Sequence, residues 1–172
     1  MIEKPPVDTV LSLGSNCGDS PGILKEAVSL IGAFLTGLNI SSVYKTVPQD
    51  CPDQPDFLNL AVRGCFAETA DILLRKIQGI ETGLGRDRNT EKRYGPRTLD
   101  IDIILFGNAV IRQTDLIIPH ERMKKRQFVL IPLLEIYPEA ADPVSGEPFR
   151  IILESLPDQG VTMAGSLFCH TM

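Results

Sequence analysis

The alternation of strand-like and helix-like segments over the first 106 residues most restricts the possible fold. Residues 7–14, 40–46 and 57–66 are rich in β-branched and apolar side chains, and residues 98–106 form the clearest strand pattern in the chain. Helical spacing of apolar residues predicts one helix that ends at Gly37 and another over residues 69–83. The pattern favours an α+β sandwich with a largely antiparallel sheet flanked by helices. The length of 172 residues predicts a single domain over residues 1–172.

Local signals predict where several elements begin and end. Ser20 is expected to cap the first helix, with Pro21 in its first turn. Gly107 and Asn108 form a two-residue hairpin signal that leads into a strand over residues 109–111. A further helix is expected over residues 128–136, and the proline-containing tail from residue 138 carries little pattern.

Composition and charge exclude several classes of protein. The first ten residues contain charges and two prolines where a signal peptide needs an apolar segment, and no apolar run reaches membrane-spanning length. The four cysteines form no CxxC pair, which favours reduced thiols and a cytoplasmic protein. The net charge of −5 argues against a general nucleic-acid binder. We therefore expect neither a membrane nor a nucleic acid as partner.

Basic residues nevertheless cluster locally. Nine of the 17 lie in two short windows: Arg86, Arg88, Lys92, Arg93 and Arg97, then Arg122, Lys124, Lys125 and Arg126. Local basic clusters on an acidic protein indicate a small anionic ligand.

Two carboxylates share one face of the strand at residues 98–106. The two-residue period of a strand places Asp100 and Asp102 about 7 Å apart on one face, and Leu99, Ile101, Ile103 and Leu105 on the other. Magnesium prefers carboxylate oxygens, and it commonly uses one or two of them together with substrate phosphates. A different explanation is a pair of charges that protects an edge strand from aggregation.

The arginine-rich segment runs directly into this strand. Because arginine binds phosphate oxygens with a planar fork, several arginines beside two aspartates indicate a triphosphate site. No GxxxxGK[ST] motif occurs, so side chains must supply the positive charge. His120 is positioned in sequence to donate to a phosphate oxygen, although a structural role is the common one for a lone histidine.

These residues resemble the 6-hydroxymethyl-7,8-dihydropterin pyrophosphokinase family of folate biosynthesis. The Gly-Pro-Arg-Thr-Leu-Asp-Ile-Asp segment at 95–102 matches the family's most specific signature. Further matches are Leu13-Gly14-Ser15-Asn16, Tyr44-Lys45-Thr46, Gln54-Pro55-Asp56-Phe57-Leu58-Asn59, Ile118-Pro119-His120, Arg126, Phe128 and Pro132-Leu133.

The resemblance implies a ferredoxin-like fold and transfer of diphosphate from ATP to the pterin hydroxymethyl group, with release of AMP. It assigns Asp100 and Asp102 as ligands of two magnesium ions, and Arg86 and Arg97 as residues that assist transfer. Nucleotide contacts are implied for Leu74, Gln78, Glu81, Arg88, Arg93, Ile103, His120 and Arg126. Pterin contacts are implied for Thr46, Val47, Phe57, Asn59, Tyr94 and Phe128.

Some positions depart from the family pattern. Tyr94 stands where many members have Trp, and Val47 where many have Pro. Asp115 and Ile117 replace the Arg and Thr that some members have at the nucleotide site, and the change at Asp115 removes a cation.

Two other functions fit some of the residues. Another magnesium-dependent nucleotidyl or phosphoryl transferase would also use paired aspartates and arginines. An RNA-binding module could use the basic segment, but the net charge and the lack of an aromatic RNA-binding strand argue against it.

Overall fold

The computed structural model describes residues 5–48, 53–87 and 95–168. Its elements, in chain order, are β1 (Val7–Ser15), α1 (Ser20–Ile31), β2 (Thr36–Ile40), β3 (Val43–Thr46), β4 (Phe57–Phe66), α2 (Ala70–Gly83), β5 (Asp100–Phe106), β6 (Ile111–Arg112), β7 (Ile117–Ile118), a 3-10 helix (Met123–Lys125), α3 (Gln127–Ile136), α4 (Phe149–Ser155) and β8 (Thr162–Gly165).

The main sheet has the order β5-β1-β4-β3-β8, with β2 also paired to β4, and each of these pairings is antiparallel. Strands β2 and β3 both pair with β4 and together take the place of one strand, so the first part of the chain follows the β-α-β-β-α-β pattern of a ferredoxin-like fold. This confirms the predicted α+β sandwich. Within the described ranges, no helix has both the length and the apolar character required to cross a bilayer.

Two hydrophobic cores lie on the two faces of the sheet. The larger one joins α1 and α2 to the sheet through side chains such as Leu24 and Leu73. The smaller one joins α3 and α4 to the sheet through side chains such as Leu130 and Phe149. The sheet is therefore the middle layer, and both faces of its edge strand β5 meet other elements.

The predicted face of Leu105 is wrong. Ile101 and Ile103 belong to the larger core, whereas both Ile104 and Leu105 belong to the smaller one. The pairing of β1 with β5 shifts register between Val10 and Leu11, so that these residues oppose Leu105 and Ile103. The extra residue interrupts the two-residue alternation.

Two further corrections concern helix α1 and strand β2. Asp19, not Ser20, caps α1: its Oδ1 accepts the N–H of Gly22 at 3.2 Å, while the Ser20 hydroxyl contacts that of Ser15. Helix α1 ends at Ile31, and Gly37 lies inside β2 with a φ of 64°, which a glycine adopts without strain. The predicted strand over residues 40–46 is in fact β3, preceded by the separate strand β2.

The predicted hairpin at Gly107 and Asn108 is also wrong. A turn is present, but the Gly107 N–H donates to the carbonyl of Asp8 in β1 at 2.6 Å. Strand β6 then pairs with β7 and not with β5. The tail, which carried little sequence pattern, contributes α4 to the smaller core and β8 to the sheet.

Candidate active site

A cavity of about 470 Å³ surrounds the end of β5 where Asp100 and Asp102 lie. Its wall includes side chains from both faces of β5, from β4, from α2 and from the start of α3. All described residues of the predicted site line it, except Glu81: Thr46, Val47, Phe57, Asn59, Leu74, Gln78, Arg86, Arg97, Asp100, Asp102, Ile103, His120, Arg126 and Phe128. Arg88, Arg93 and Tyr94 lie outside the described residues.

Small residues form the floor of the cavity. In the antiparallel register, Gly14 opposes Asp100 on one side and Asn59 on the other, and Ser12 opposes Asp102. Residues directly opposite each other project from the same face of the sheet. Gly14 and Ser12 therefore leave open the space between the two carboxylates and Asn59.

Two arginines bind Asp100. Arg86 Nη1 lies 2.6 Å from Asp100 Oδ1, and Arg97 Nη1 lies 2.5 Å from Oδ2. Burial of this carboxyl acts to raise its pKa, but the positive charges of Arg97 and Arg86 outweigh burial and hold the pKa below its usual value. Asp100 is therefore ionised at neutral pH.

Asp102 has a different electrostatic environment. Its Oδ2 lies 3.7 Å from His120 Nε2. Burial, followed by the negative charge of Asp100, raises its pKa to about 7, against the opposing effect of Arg126. A cation placed between the two aspartates would relieve this unfavourable charge.

The donor set fits magnesium that is shared with phosphates. Among residues 5–48, 53–87 and 95–168, no group of three or more His, Cys, Asp or Glu side chains is arranged to hold a metal ion. Two carboxylates without a third protein ligand suit a hard cation that takes its other oxygens from substrate phosphates and water. The site therefore fits magnesium bound with a nucleotide better than a metal held by protein alone.

The orientation of His120 is fixed by a backbone contact. Its Nδ1 accepts the N–H of Arg122 at 3.3 Å, which places the proton of the neutral ring on Nε2, the atom that faces Asp102. Burial, and then the charge of Arg126, lowers the pKa of His120. The ring is thus a neutral hydrogen-bond donor towards the cavity.

Asn16 is a residue whose importance the sequence analysis missed. It is 3% exposed, and its Oδ1 accepts the Arg97 N–H at 2.8 Å, while its Nδ2 donates to the Pro55 carbonyl at 3.0 Å and to Gln54 Oε1 at 3.2 Å. It thereby joins the end of β1 to the segment before β5 and to the segment before β4. The only sequence signal was the short Gly-Ser-Asn run.

The cavity wall also carries an amide and aromatic rings, here called the aromatic end of the cavity. Asn59 is 4% exposed and donates from Nδ2 to the Thr46 hydroxyl at 3.0 Å. Phe57 and Phe128 line the same cavity, and the Arg126 guanidinium lies 5.4 Å from the centre of the Phe128 ring. A fixed amide and two rings suit a flat heterocycle with polar edges.

Of the described residues that are predicted to contact the nucleotide, Glu81 does not line the cavity. Leu74, Gln78 and Ile103 line the cavity, together with Asp115 and Ile117, two of the positions that depart from the family. Glu81 instead is 1% exposed and lies behind the wall.

The fold and this cavity define a class of protein: a ferredoxin-like domain with a metal-assisted phosphate site. The sequence model of the 7,8-dihydro-6-hydroxymethylpterin-pyrophosphokinase (HPPK) family matches residues 10–138. The chain therefore belongs to this family.

Individual relatives agree with this membership. A 2-amino-4-hydroxy-6-hydroxymethyldihydropteridine pyrophosphokinase of Bacillus subtilis is 46% identical over 128 residues, which cover 73% of this chain and 75% of the relative. A protein of the same name from Methylorubrum extorquens is 38% identical over 154 residues, covering 88% of this chain and 94% of the relative.

Some relatives are much longer. A folate synthesis bifunctional protein of Arabidopsis thaliana is 42% identical over 132 residues, but the match covers only 27% of that protein. Among solved structures, wild-type HPPK-DHPS of Plasmodium falciparum superposes with a TM-score of 0.69 at 18% identity, over 88% of this chain and 45% of that chain. At this identity the likeness supports the fold alone.

Proposed function

We infer that this chain is a pyrophosphokinase of folate biosynthesis, which transfers the diphosphate group of ATP to the hydroxymethyl group of 6-hydroxymethyl-7,8-dihydropterin and releases AMP. Membership of the family and the names of the full-length relatives support this inference. The observation that carries it is that two aspartates and two arginines line the same cavity as Asn59 and the aromatic rings. These four residues are Asp100, Asp102, Arg86 and Arg97.

In this proposal the pterin lies at the aromatic end. Its ring packs between Phe57 and Phe128, and the amide of Asn59 reads the polar edge of the ring. Gly14 leaves room for the hydroxymethyl group to approach Asp100, because its position has no side chain.

ATP lies at the opposite end, along α2 and the open side of β5. Leu74 and Ile103 contact the base, while His120 and Arg126 contact the phosphates. Magnesium supplies neutralisation of the phosphate charge, and we propose that Asp100 and Asp102 hold two ions. His120 can donate from Nε2 without adding a full charge, since burial keeps the ring neutral.

Transfer requires alignment and charge neutralisation more than covalent help from the protein. The hydroxymethyl oxygen attacks the β-phosphorus and releases its proton to solvent, the bond from this phosphorus to the α,β-bridging oxygen breaks, and AMP leaves with that oxygen. Arg86 and Arg97 are held beside Asp100 by short hydrogen bonds, where their charge can stabilise the diphosphate as it moves. Arg88 and Arg93 stay predicted phosphate contacts, and Tyr94 a predicted pterin contact.

The free thiols of Cys17 and Cys65 agree with a reducing compartment, and we propose the cytoplasm.

The decisive experiment incubates the protein with ATP, magnesium and hydroxymethyldihydropterin, and measures AMP. We expect AMP in proportion to pterin diphosphate, whereas a nucleotidyl transferase would release pyrophosphate. An RNA-binding module would give neither product.

The Asp102→Asn variant tests the assignment of the metal ligands. Removing one carboxylate should lower magnesium-dependent turnover by at least about 100-fold, while the thermal transition stays within a few degrees of the wild-type value. Asp71→Asn, at an exposed position on α2, is the matched control and should keep full turnover. Turnover of Asp102→Asn within threefold of wild type would refute the assignment.

A further inference from the structure

Helix α2 contacts the backbone of the edge strand β5 between Asp100 and Asp102. In the sheet, β5 pairs with β1, and among the described residues no second strand forms a hydrogen-bonded ladder with it. The N–H of Ile101, the residue between the two aspartates, donates instead to Glu81 Oε1 in α2 at 2.8 Å. A buried carboxylate thus occupies the place of a neighbouring strand at this one position.

The same carboxylate oxygen also binds Arg86. Arg86 Nη1 lies 2.5 Å from Glu81 Oε1 and 2.6 Å from Asp100 Oδ1. The side chain of Glu81 is 1% exposed and that of Arg86 is 7% exposed. One acceptor therefore connects the backbone of β5 to the arginine that binds Asp100.

We propose that Glu81 is a positioning residue, which fixes the β5 backbone between Asp100 and Asp102 and directs Arg86 towards the transferred diphosphate. This rests on the proposed function and differs from the nucleotide contact that the family resemblance implies. Hydrogen bonds from a charged guanidinium are short, and Glu81 Oε1 accepts from both Arg86 and the Ile101 N–H, so a single group can define both orientations. Because Glu81 lies behind the cavity wall, its effect is on geometry and not on the affinity for ATP.

The test compares Glu81→Leu with Glu81→Gln. Leucine preserves volume and removes the acceptor, and we expect kcat to fall about 30- to 100-fold, since a displacement of about 1 Å costs on that order. The KM values for ATP and pterin should change less than threefold. Glutamine keeps an acceptor oxygen and should restore kcat to within about tenfold of wild type. Asp71→Leu, on the same helix and exposed, should leave kcat unchanged.

Amide hydrogen exchange gives a readout that does not depend on activity. The Ile101 amide should exchange slowly in wild type and in Glu81→Gln, and at least tenfold faster in Glu81→Leu, with the β1–β4 amides unchanged. If the leucine variant does not fold, the glutamine variant still tests the proposal through Ile101 protection and kcat.

Four results would overturn the proposal: rapid exchange of Ile101 in wild type, Glu81→Leu with kcat within twofold of wild type, a loss confined to KM for ATP, or Glu81→Gln as impaired as Glu81→Leu. A wild-type protein that forms no AMP would refute the proposed function instead, while Ile101 exchange would still report on the Glu81 contact.

Discussion

Replacing Gly14 by alanine should weaken pterin binding selectively. A Cβ atom at residue 14 would lie 3.1 Å from Oδ1 of Asn59. This is about 0.4 Å inside the ~3.5 Å at which non-bonded heavy atoms attract. Asn59 is nearly buried and is held by Thr46 at 3.0 Å, so it cannot yield without disturbing the amide that we propose to contact the pterin.

The size of the effect follows from this displacement. Displacing the Asn59 amide by about 0.4 Å should weaken its proposed contact with the pterin by up to about one hydrogen bond, or roughly 1 kcal/mol, which is about a 5- to 10-fold loss of affinity. We expect the Kd for the pterin, measured by calorimetry or fluorescence, to rise by that factor, and the KM for ATP to change less than twofold.

Gly79→Ala is the matched control. Gly79 lies in α2, where an added Cβ meets nothing within 4 Å. Alanine should raise the free energy of unfolding by about 0.5–1 kcal/mol and leave pterin binding unchanged. An unchanged pterin Kd in Gly14→Ala, or equal losses for both substrates, would show that the space left by Gly14 is not part of the pterin site.

Two other changes test single carboxylates: Asp115 in the cavity wall and the buried Asp142. Asp115→Arg adds a cation to the cavity wall, so the KM for ATP should fall several-fold at low salt and less in high salt; a KM that does not move would place Asp115 away from the phosphates. Asp142 is 1% exposed and binds Lys124, the Val144 N–H and Ser145, so Asp142→Asn should cost about 1–3 kcal/mol of unfolding free energy in chemical denaturation at pH 7. Burial acts to raise the pKa of Asp142, but its hydrogen bonds to Lys124 and Ser145 outweigh burial and lower it. A lowered carboxyl pKa contributes stability above the unfolded pKa of about 4, and this contribution is lost as the pH falls through the folded pKa. The difference in unfolding free energy between wild type and Asp142→Asn should therefore become smaller as the pH is lowered. A difference that grows would contradict the reasoning.

Properties that depend on one segment were predictable from the sequence. The strand at Phe57–Phe66 has the predicted bounds, because apolar residues predominate in it and it follows directly on Pro55 and Asp56. The shared face of Asp100 and Asp102 follows from the strand period alone. The family signature then predicted the side chains that line the cavity, since their spacing along the chain is characteristic.

Properties that depend on two segments were not predictable. The interruption in β5 arises from its register with β1, which no period within residues 98–106 reveals. Asn16 and Glu81 act through partners far away in sequence, and a polar residue in an unremarkable context gives no sign of its partner. Strand β8 pairs with β3, although its four residues are exposed and follow no apolar pattern.

The two explanations for the paired aspartates can now be separated by their electrostatics. Strand β5 does lie at a sheet edge, as the explanation by protection from aggregation requires. A side chain that protects an edge strand must be charged and exposed to solvent, however. The negative charge of Asp100 is compensated by two arginines, and the pKa of Asp102 is raised to about 7. A carboxyl whose pKa is raised in this way repels a neighbouring strand poorly, but the same unfavourable charge favours the binding of a divalent cation. The edge position serves a different purpose, because Asp100 and Asp102 line the cavity from one face of β5 and Ile101 and Ile103 from the other, while Glu81 satisfies the backbone N–H of Ile101.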